Sequence, residues 1–536
     1  MMSLTTRRFR RGLTAVLAVV SVTALTLSGA TASGAPTDRG RPAASSRVVQ
    51  TTDGAVRGTS IGGADAFLGL PYAAPPVKDL RFAPPAPAKS WRGVRDASRQ
   101  APACLQFQPG GIRETQATSE DCLYLDLYRP QGAKRSAKLP VIFWVHGGGY
   151  TQGTGVIYGG QTLAERTGSV VVSINYRVGA LGYLALKQLD TQNPSTGSGN
   201  WGLLDQIAAL KWVKRNVGAF GGNARNVTIT GQSAGGSSVC TLLASPKAAG
   251  LFEQASIQSA YCGLLERPLA SAQEQGSAFA KQAGCTDAAT QVACLRTAWA
   301  PTLVAAFQTA GGAGPVVGTP TLPKGSTEAI TDNQWNKVPV IIGAVAHEGK
   351  LFLTATPNIT AADYEKWLAS FGSNAGKVAA RYPLSDYPTP FAAQAQAFGD
   401  SFLYCGSDRT ANLLATKTPV YRYEFNDPQS PTLYGFQPEG VDMSSTHSAE
   451  LAYQFDFTLG AAPVPGSSRR LAAQMKDYWG SFAEDANPNQ RGLPHWPRYR
   501  TSTHKALVLR PDGPRVSTTL SADHHCDFWA DPDAAE

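Results

Sequence analysis

Val227-Thr228-Ile229-Thr230-Gly231-Gln232-Ser233-Ala234-Gly235-Gly236-Ser237-Ser238-Val239-Cys240-Thr241-Leu242-Leu243 runs a strand into a helix through one serine set between two glycines. The β-branched residues at its start favour extended backbone, and the run from Ala234 to Leu243 reads as a helix. A serine at such a reversal sits on a strained corner with its hydroxyl outward, at the end of the helix where the dipole favours negative charge. The glycines leave room for strand, helix and a bound molecule to approach closely. A corner of this kind presents an oxygen nucleophile. The same five-residue pattern recurs at Gly58-Thr59-Ser60-Ile61-Gly62, but no helix follows it there, and that copy reads as a hairpin turn.

Outward from the corner, strand and helix alternate. Val141 to Val145 and Val170 to Ile174 are apolar, β-branched runs of the kind buried in a parallel sheet, and Val338 to Ile342 and Val420 to Phe425 add two more. Leu203 to Val217 has helical spacing, with Leu204, Ile207, Ala208 and Trp212 on its apolar face. Asp53 to Tyr72 reads as short strands with glycine turns, followed by a proline-rich loop through Pro87. This alternation predicts an α/β fold with a large, mixed and mostly parallel central sheet flanked by helices. Residues 47–536 form its single domain, with cap insertions around 263–337 and 361–416 over the edge of the sheet where ligands bind.

The first residues stand apart from that domain. Arg7, Arg8, Arg10 and Arg11 precede an apolar stretch from Leu13 to Leu27 that is too short to span a bilayer, and Ala30-Thr31-Ala32 is a small-residue cleavage site. Residues 1–32 therefore read as an export signal and residues 33–46 as a flexible segment, with the product outside the cytoplasm. Removing those four arginines takes the formal charge from +9 to +5. Over so large a surface this is solubility rather than a nucleic-acid footprint, and no later apolar run is long enough to insert stably in a membrane. The oligomeric state stays open at this level. Eight cysteines in an exported chain point to disulfides. Local pairs are the simplest set: Cys104 with Cys122, Cys240 with Cys262, Cys285 with Cys294, and Cys405 with Cys526 by elimination. Eight cysteines allow about 105 pairings, so spacing alone leaves the set open. Metal binding competes, but the chain has no Cys-x-x-Cys and no histidine at ligand spacing.

A serine hydroxyl attacks only when a base takes its proton, and the base needs an orienting acid. Of the seven histidines, His146 precedes three glycines and is placed to shape a loop, while His347 adjoins Glu348 just after a strand. His495 and His504 lie in a Pro- and Arg-rich tail, and His524 and His525 adjoin Cys526 near the terminus. His447 follows the Val420 to Phe425 strand by a loop, where a base would enter a site at the top of the sheet. On α/β scaffolds with this serine corner the chain order is serine, acid, histidine, which here selects Ser233, Glu348 and His447. Negative charge developing on a carbonyl oxygen needs donors. His146-Gly147-Gly148-Gly149-Tyr150 offers bare backbone N–H groups directly after a buried strand, and the N–H of Ala234 adds another.

Together these segments resemble the type-B carboxylesterases, a family of α/β-hydrolase fold that includes the cholinesterases, over nearly all of the chain after the export signal. Glu120-Asp121-Cys122-Leu123-Tyr124-Leu125 is similar to one family signature and the run around Ser233 to another, with Asn175-Tyr176-Arg177 and Asn200-Trp201-Gly202-Leu203-Leu204-Asp205-Gln206 matching further landmarks. The resemblance implies Ser233 as nucleophile, Glu348 as acid and His447 as base, with oxyanion donors at Gly148, Gly149 and Ala234. It also implies bridges Cys104 to Cys122 and Cys285 to Cys294, ion pairs Arg81 with Glu120 and Arg177 with Asp205, and Ser259 and Glu450 as supports behind the triad. Two departures stand out. Gln232 occupies a position that is usually glutamate, which removes a negative charge beside the nucleophile. The segment Leu105 to Asp121 has no tryptophan and only Phe107 as an aromatic, so a quaternary ammonium lacks its usual stacking partner.

The expected activity is that of an exported serine carboxylesterase working through an acyl-enzyme on small ester substrates, with no metal and no cofactor. The Leu105 to Asp121 segment, with Leu105, Phe107 and Ile112 as its main apolar side chains, makes a poor interfacial lid. Soluble esters are therefore expected ahead of the alternative, long-chain or polymeric esters as for a lipase or polyester hydrolase. A non-catalytic adhesion module of the same fold is a further alternative, but such relatives typically lack the serine.

Overall fold

The computed structural model describes residues 47–106, 117–309, 312–432, 437–457 and 462–530. Residues 1–46, read from the sequence as an export signal and a flexible segment, and Phe107 and Ile112 lie outside the described residues.

An eleven-stranded sheet among the described residues organises the domain. Its strands are β1 (Thr59–Ile61), β2 (Ala64–Pro71), β3 (Tyr124–Pro130), β4 (Leu139–Val145), β5 (Val170–Ile174), β6 (Gly222–Gln232), β7 (Gln254–Gln258), β8 (Val340–Val345), β9 (Val420–Phe425), β10 (Ala506–Leu509) and β11 (Arg515–Ser517). Across the sheet the order is β11-β10-β9-β8-β7-β6-β4-β5-β3-β2-β1. The run from β10 to β5 is parallel throughout, and antiparallel pairs close both edges.

Both faces of the parallel part are covered, which is why its strands read as unbroken apolar runs. In β4, Val141, Phe143 and Val145 join one core with Leu210 and Leu242, whereas Ile142 and Trp144 join another with Ala483. Leu210 belongs to α1 (Trp201–Asn216), Leu242 to α2 (Ala234–Ala244) and Ala483 to α5 (Arg469–Asp485), so α1 and α2 cover one face and α5 the other. The helices α3 (Pro390–Gly399) and α4 (Cys405–Ala415) lie within residues 361–416, joined by a π-helical turn at Asp400–Tyr404.

Two boundaries differ from the sequence reading. The strand expected from Val338 begins at Val340, because Pro339 has no N–H to give the ladder. It continues through Gly343, where an added Cβ would meet Tyr423 of β9 at 2.3 Å. The strand before the serine is longer than Val227 to Thr230 suggested, starting at Gly222 with an irregular register up to Val227. The second Gly-x-Ser-x-Gly copy forms β1 and the turn leading to its antiparallel partner β2.

Four disulfides hold the chain, Cys104 to Cys122, Cys240 to Cys262, Cys285 to Cys294 and Cys405 to Cys526. Among the described residues no helix is long and apolar enough to cross a membrane. The disulfides fit an extracellular protein. Arg177 meets Asp205 of α1 through two bonds of 2.8 Å, and Arg81 meets Glu120 through two of 2.7 Å. Bidentate pairs of this geometry fix loop positions as well as adding charge attraction.

Candidate active site

Strands β4, β6, β8 and β9 are parallel and close together in the sheet, so their C-terminal ends meet at one edge. After β4 comes the glycine run, after β6 Ser233, after β8 Glu348 and after β9 the loop carrying His447. This is how residues hundreds apart in sequence come together.

Ser233 has φ +59° and ψ −128°, in the left-handed half of backbone space that non-glycine residues seldom occupy. Such strain costs on the order of 1–3 kcal/mol. Its N–H donates to the Gln258 carbonyl at 2.9 Å, and its own carbonyl accepts from Ser237 at 2.9 Å, so the corner is held from both sides. A Cβ on Gly235 would lie 2.1 Å from the Val145 carbonyl, which explains the glycine after the corner. The serine side chain is half-buried, and its hydroxyl makes no hydrogen bond among the described residues.

His447 and Glu348 are both buried, and Nδ1 lies 2.5 Å from Glu348 Oε2. The other carboxylate oxygen accepts the Val345 N–H at 3.0 Å, and the His347 N–H donates to Ser445 at 3.0 Å, tying the two loops together. The opposite imidazole nitrogen, Nε2, lies 3.1 Å from Gln232 Nε2. With the Nδ1 proton directed at the carboxylate, Nε2 is an acceptor and the Gln232 amide donates to it. Phe352 stands with its ring centroid 4.9 Å from that of His447 and 41% of its surface exposed, backed by Phe398 and Phe402.

Behind this pair, Ser259 donates to Glu450 Oε1 at 3.2 Å. Burial, and then the negative Glu348 nearby, push the Glu450 carboxyl up to about 8. It is therefore mostly neutral at pH 7 and adds little negative charge beside the Glu348–His447 pair.

The glycine loop leans on the serine corner: a Cβ on Gly147 would fall 3.0 Å from Ser233 Cβ. Gly148 and Gly149 have φ +110° and +61°, and the Gly148 carbonyl turns away to accept the Thr151 and Gln152 N–H groups at 3.1 Å each. The N–H groups of Gly148, Gly149 and Ala234 donate to no protein acceptor among the described residues. Ala234 opens α2, where the first N–H groups have no partner within the helix. His146 lies stacked on Tyr176 with centroids 4.2 Å apart, and its Nδ1 is 2.8 Å from the Gly147 carbonyl. Burial lowers its titration to about 4, so it is a neutral ring that shapes the loop.

One cluster escaped the sequence reading. His524, dismissed there for its place beside Cys526, is buried with Nδ1 2.5 Å from Asp400 and Nε2 2.9 Å from Glu424. Its only sequence signal is its histidine identity, because both partners are about a hundred residues away. The Gln232 contact with His447 also went unseen, although the departure at that position was plain. Among the described residues no group of three His, Cys, Asp or Glu side chains is gathered to hold a metal ion.

The sequence profile of the Carboxylesterase family matches residues 45–529. The chain is 37% identical to fumonisin B1 esterase of Sphingopyxis macrogoltabida over 84% of each sequence. It is 31% identical to para-nitrobenzyl esterase of Bacillus subtilis (strain 168) over 86% of this chain and 94% of that one. Among solved structures it superimposes on a thermophilic PNB esterase with a TM-score of 0.76 and 29% identity, covering 90% of this chain and 100% of that chain.

Proposed function

This chain belongs to the carboxylesterase family and is a serine carboxylesterase of α/β-hydrolase fold, and from that premise we propose that Ser233, His447 and Glu348 carry the reaction. Ser233 attacks the ester carbonyl while His447 takes its proton at Nε2, and Glu348 orients the ring and stabilises the imidazolium. The oxyanion rests on the N–H groups of Gly148, Gly149 and Ala234. His447 then protonates the leaving alcohol, and water repeats the sequence on the acyl-enzyme. The observation that carries this reading is the half-buried Ser233 held at positive φ on the same sheet edge as a His447–Glu348 pair of 2.5 Å.

The substrates are small esters rather than nucleic acid or a membrane, in keeping with relatives named for esters of small organic molecules. The polar segment from Leu105 to Asp121 favours soluble esters over emulsified triglycerides. Residues 1–32 direct export and are removed. The test is a series of p-nitrophenyl esters from acetate to palmitate, run on the enzyme and on Ser233→Ala. Turnover biased to short chains and abolished in the variant is expected. Equal rates for the two proteins overturn the nucleophile, and a bias to palmitate overturns the substrate class.

A further inference from the structure

Gln232 is 2% exposed, ends β6 beside the nucleophile, and places its amide nitrogen 3.1 Å from the one imidazole nitrogen free to act as a base. Its partner in that contact is a lone pair. An amide N–H donor is satisfied by neutral imidazole and opposed by imidazolium, whose Nε2 bears a proton of its own. The amide oxygen lies on the other side of the group, 3.2 Å from where a Cβ on Gly147 would sit. We propose that Gln232 is a positioning residue that selects neutral His447 in the substrate-free enzyme, and so extends esterase activity to lower pH than a carboxylate at this position would allow. The inference rests on the assignment of His447 as the base.

The other groups around the imidazole form a common background. Glu348 faces Nδ1 from the turn after β8, Glu450 lies behind Glu348, and Phe352 covers one side of the ring. His347 and Lys350 flank Glu348, and Lys350 is neutralised by Asp442 at 3.0 Å. None of these meets Nε2. Among the described residues only the Gln232 side chain does, so its chemistry decides what that nitrogen prefers before substrate arrives. During the reaction that single lone pair takes the serine proton, so the Gln232 amide must release it and then no longer opposes the imidazolium. The effect therefore belongs to the free enzyme and to kcat/KM more than to kcat.

The test is the pH profile of kcat/KM and kcat for p-nitrophenyl acetate, from about pH 4 to about pH 9, the range in which imidazole titrates. It uses the native enzyme, Gln232→Glu, Gln232→Met and Ser233→Ala. A carboxylate within hydrogen-bond reach of Nε2 moves the acid limb of kcat/KM upward by about 1–3 pH units. The result is the same whether the extra proton rides on the imidazole or on the new carboxyl, because the pair as a whole retains it. Gln232→Met, which removes the donor and adds no charge, moves the limb upward by less than about one unit, and the limb of kcat shifts less than that of kcat/KM in both variants. A merely structural role for Gln232 would lower rates at every pH without moving the limb. Profiles of both variants that overlay the native one, beside an inactive Ser233→Ala, overturn the inference and leave the triad standing. If Gln232→Glu does not fold, an unmoved limb in Gln232→Met overturns it alone. Full turnover by Ser233→Ala removes the triad and this inference with it.

Discussion

The molecule holds two buried histidines, each 2.5 Å from a carboxylate oxygen, and they are built for opposite ends. His447 has one carboxylate partner, Glu348, while its second nitrogen faces an amide donor beside a half-buried serine. His524 is closed on both sides, by Asp400 and by Glu424, and stacks on Tyr404 with centroids 3.4 Å apart. Burial alone would discharge His524, but the two carboxylates prevail and raise its titration to about 10. A base needs a lone pair that points toward a reacting atom, and a ring clamped at both nitrogens has none to offer. The first pair is suited to moving protons and the second to fixing the chain.

Three substitutions or conditions break this contrast, the first with the largest effect. His447→Ala lowers kcat by about 10⁴–10⁶-fold while the folded protein persists, as expected for removal of the proposed base; steady-state turnover and circular dichroism on one preparation check it. His524→Ala leaves kcat per folded molecule within a few-fold but costs about 3–5 kcal/mol of stability, since two carboxylates are left buried without their cation. Denaturant unfolding of the two proteins measures that cost, and a kcat loss matching that of His447→Ala would erase the distinction. The smallest effect is a slope. The folded-state titration of His524 is raised from its ordinary 6.5 to about 10, so the stability it contributes is complete below about pH 6.5 and fades as pH rises through about 10. Unfolding free energies taken at intervals across that range therefore fall more steeply for the native protein than for His524→Gln.

The parts of the site that could be read without coordinates are those encoded by neighbouring residues. The reversal at Ser233 is written in its flanking glycines, the strand before it and the helix after it. The glycine loop is written in His146-Gly147-Gly148-Gly149, immediately following β4. Parallel strands explain why Ser233, Glu348 and His447, chosen by chain order, end up on one edge of the sheet, because each strand end delivers one loop there. His524 offered no such handle. Its partners lie on the π-helical turn after α3 and on β9, and neither hydrophobic period nor motif spacing records a contact between elements that far apart. Phe352 against His447 and Gln232 against Nε2 were hidden for a related reason: a backbone position is legible, but the direction a side chain takes depends on what packs around it.

By itself the order of residues determined the alternation of strand and helix, the strained serine between its glycines and the membership of Glu348 and His447 in the loops that follow β8 and β9. Those are consequences of local sterics, backbone hydrogen bonding and apolar periodicity, which act over a few residues. Only the tertiary structure decided which imidazole keeps a usable lone pair and which becomes a trapped cation, because the charge state of a buried ring depends on the groups that folding brings within about 3 Å of each nitrogen.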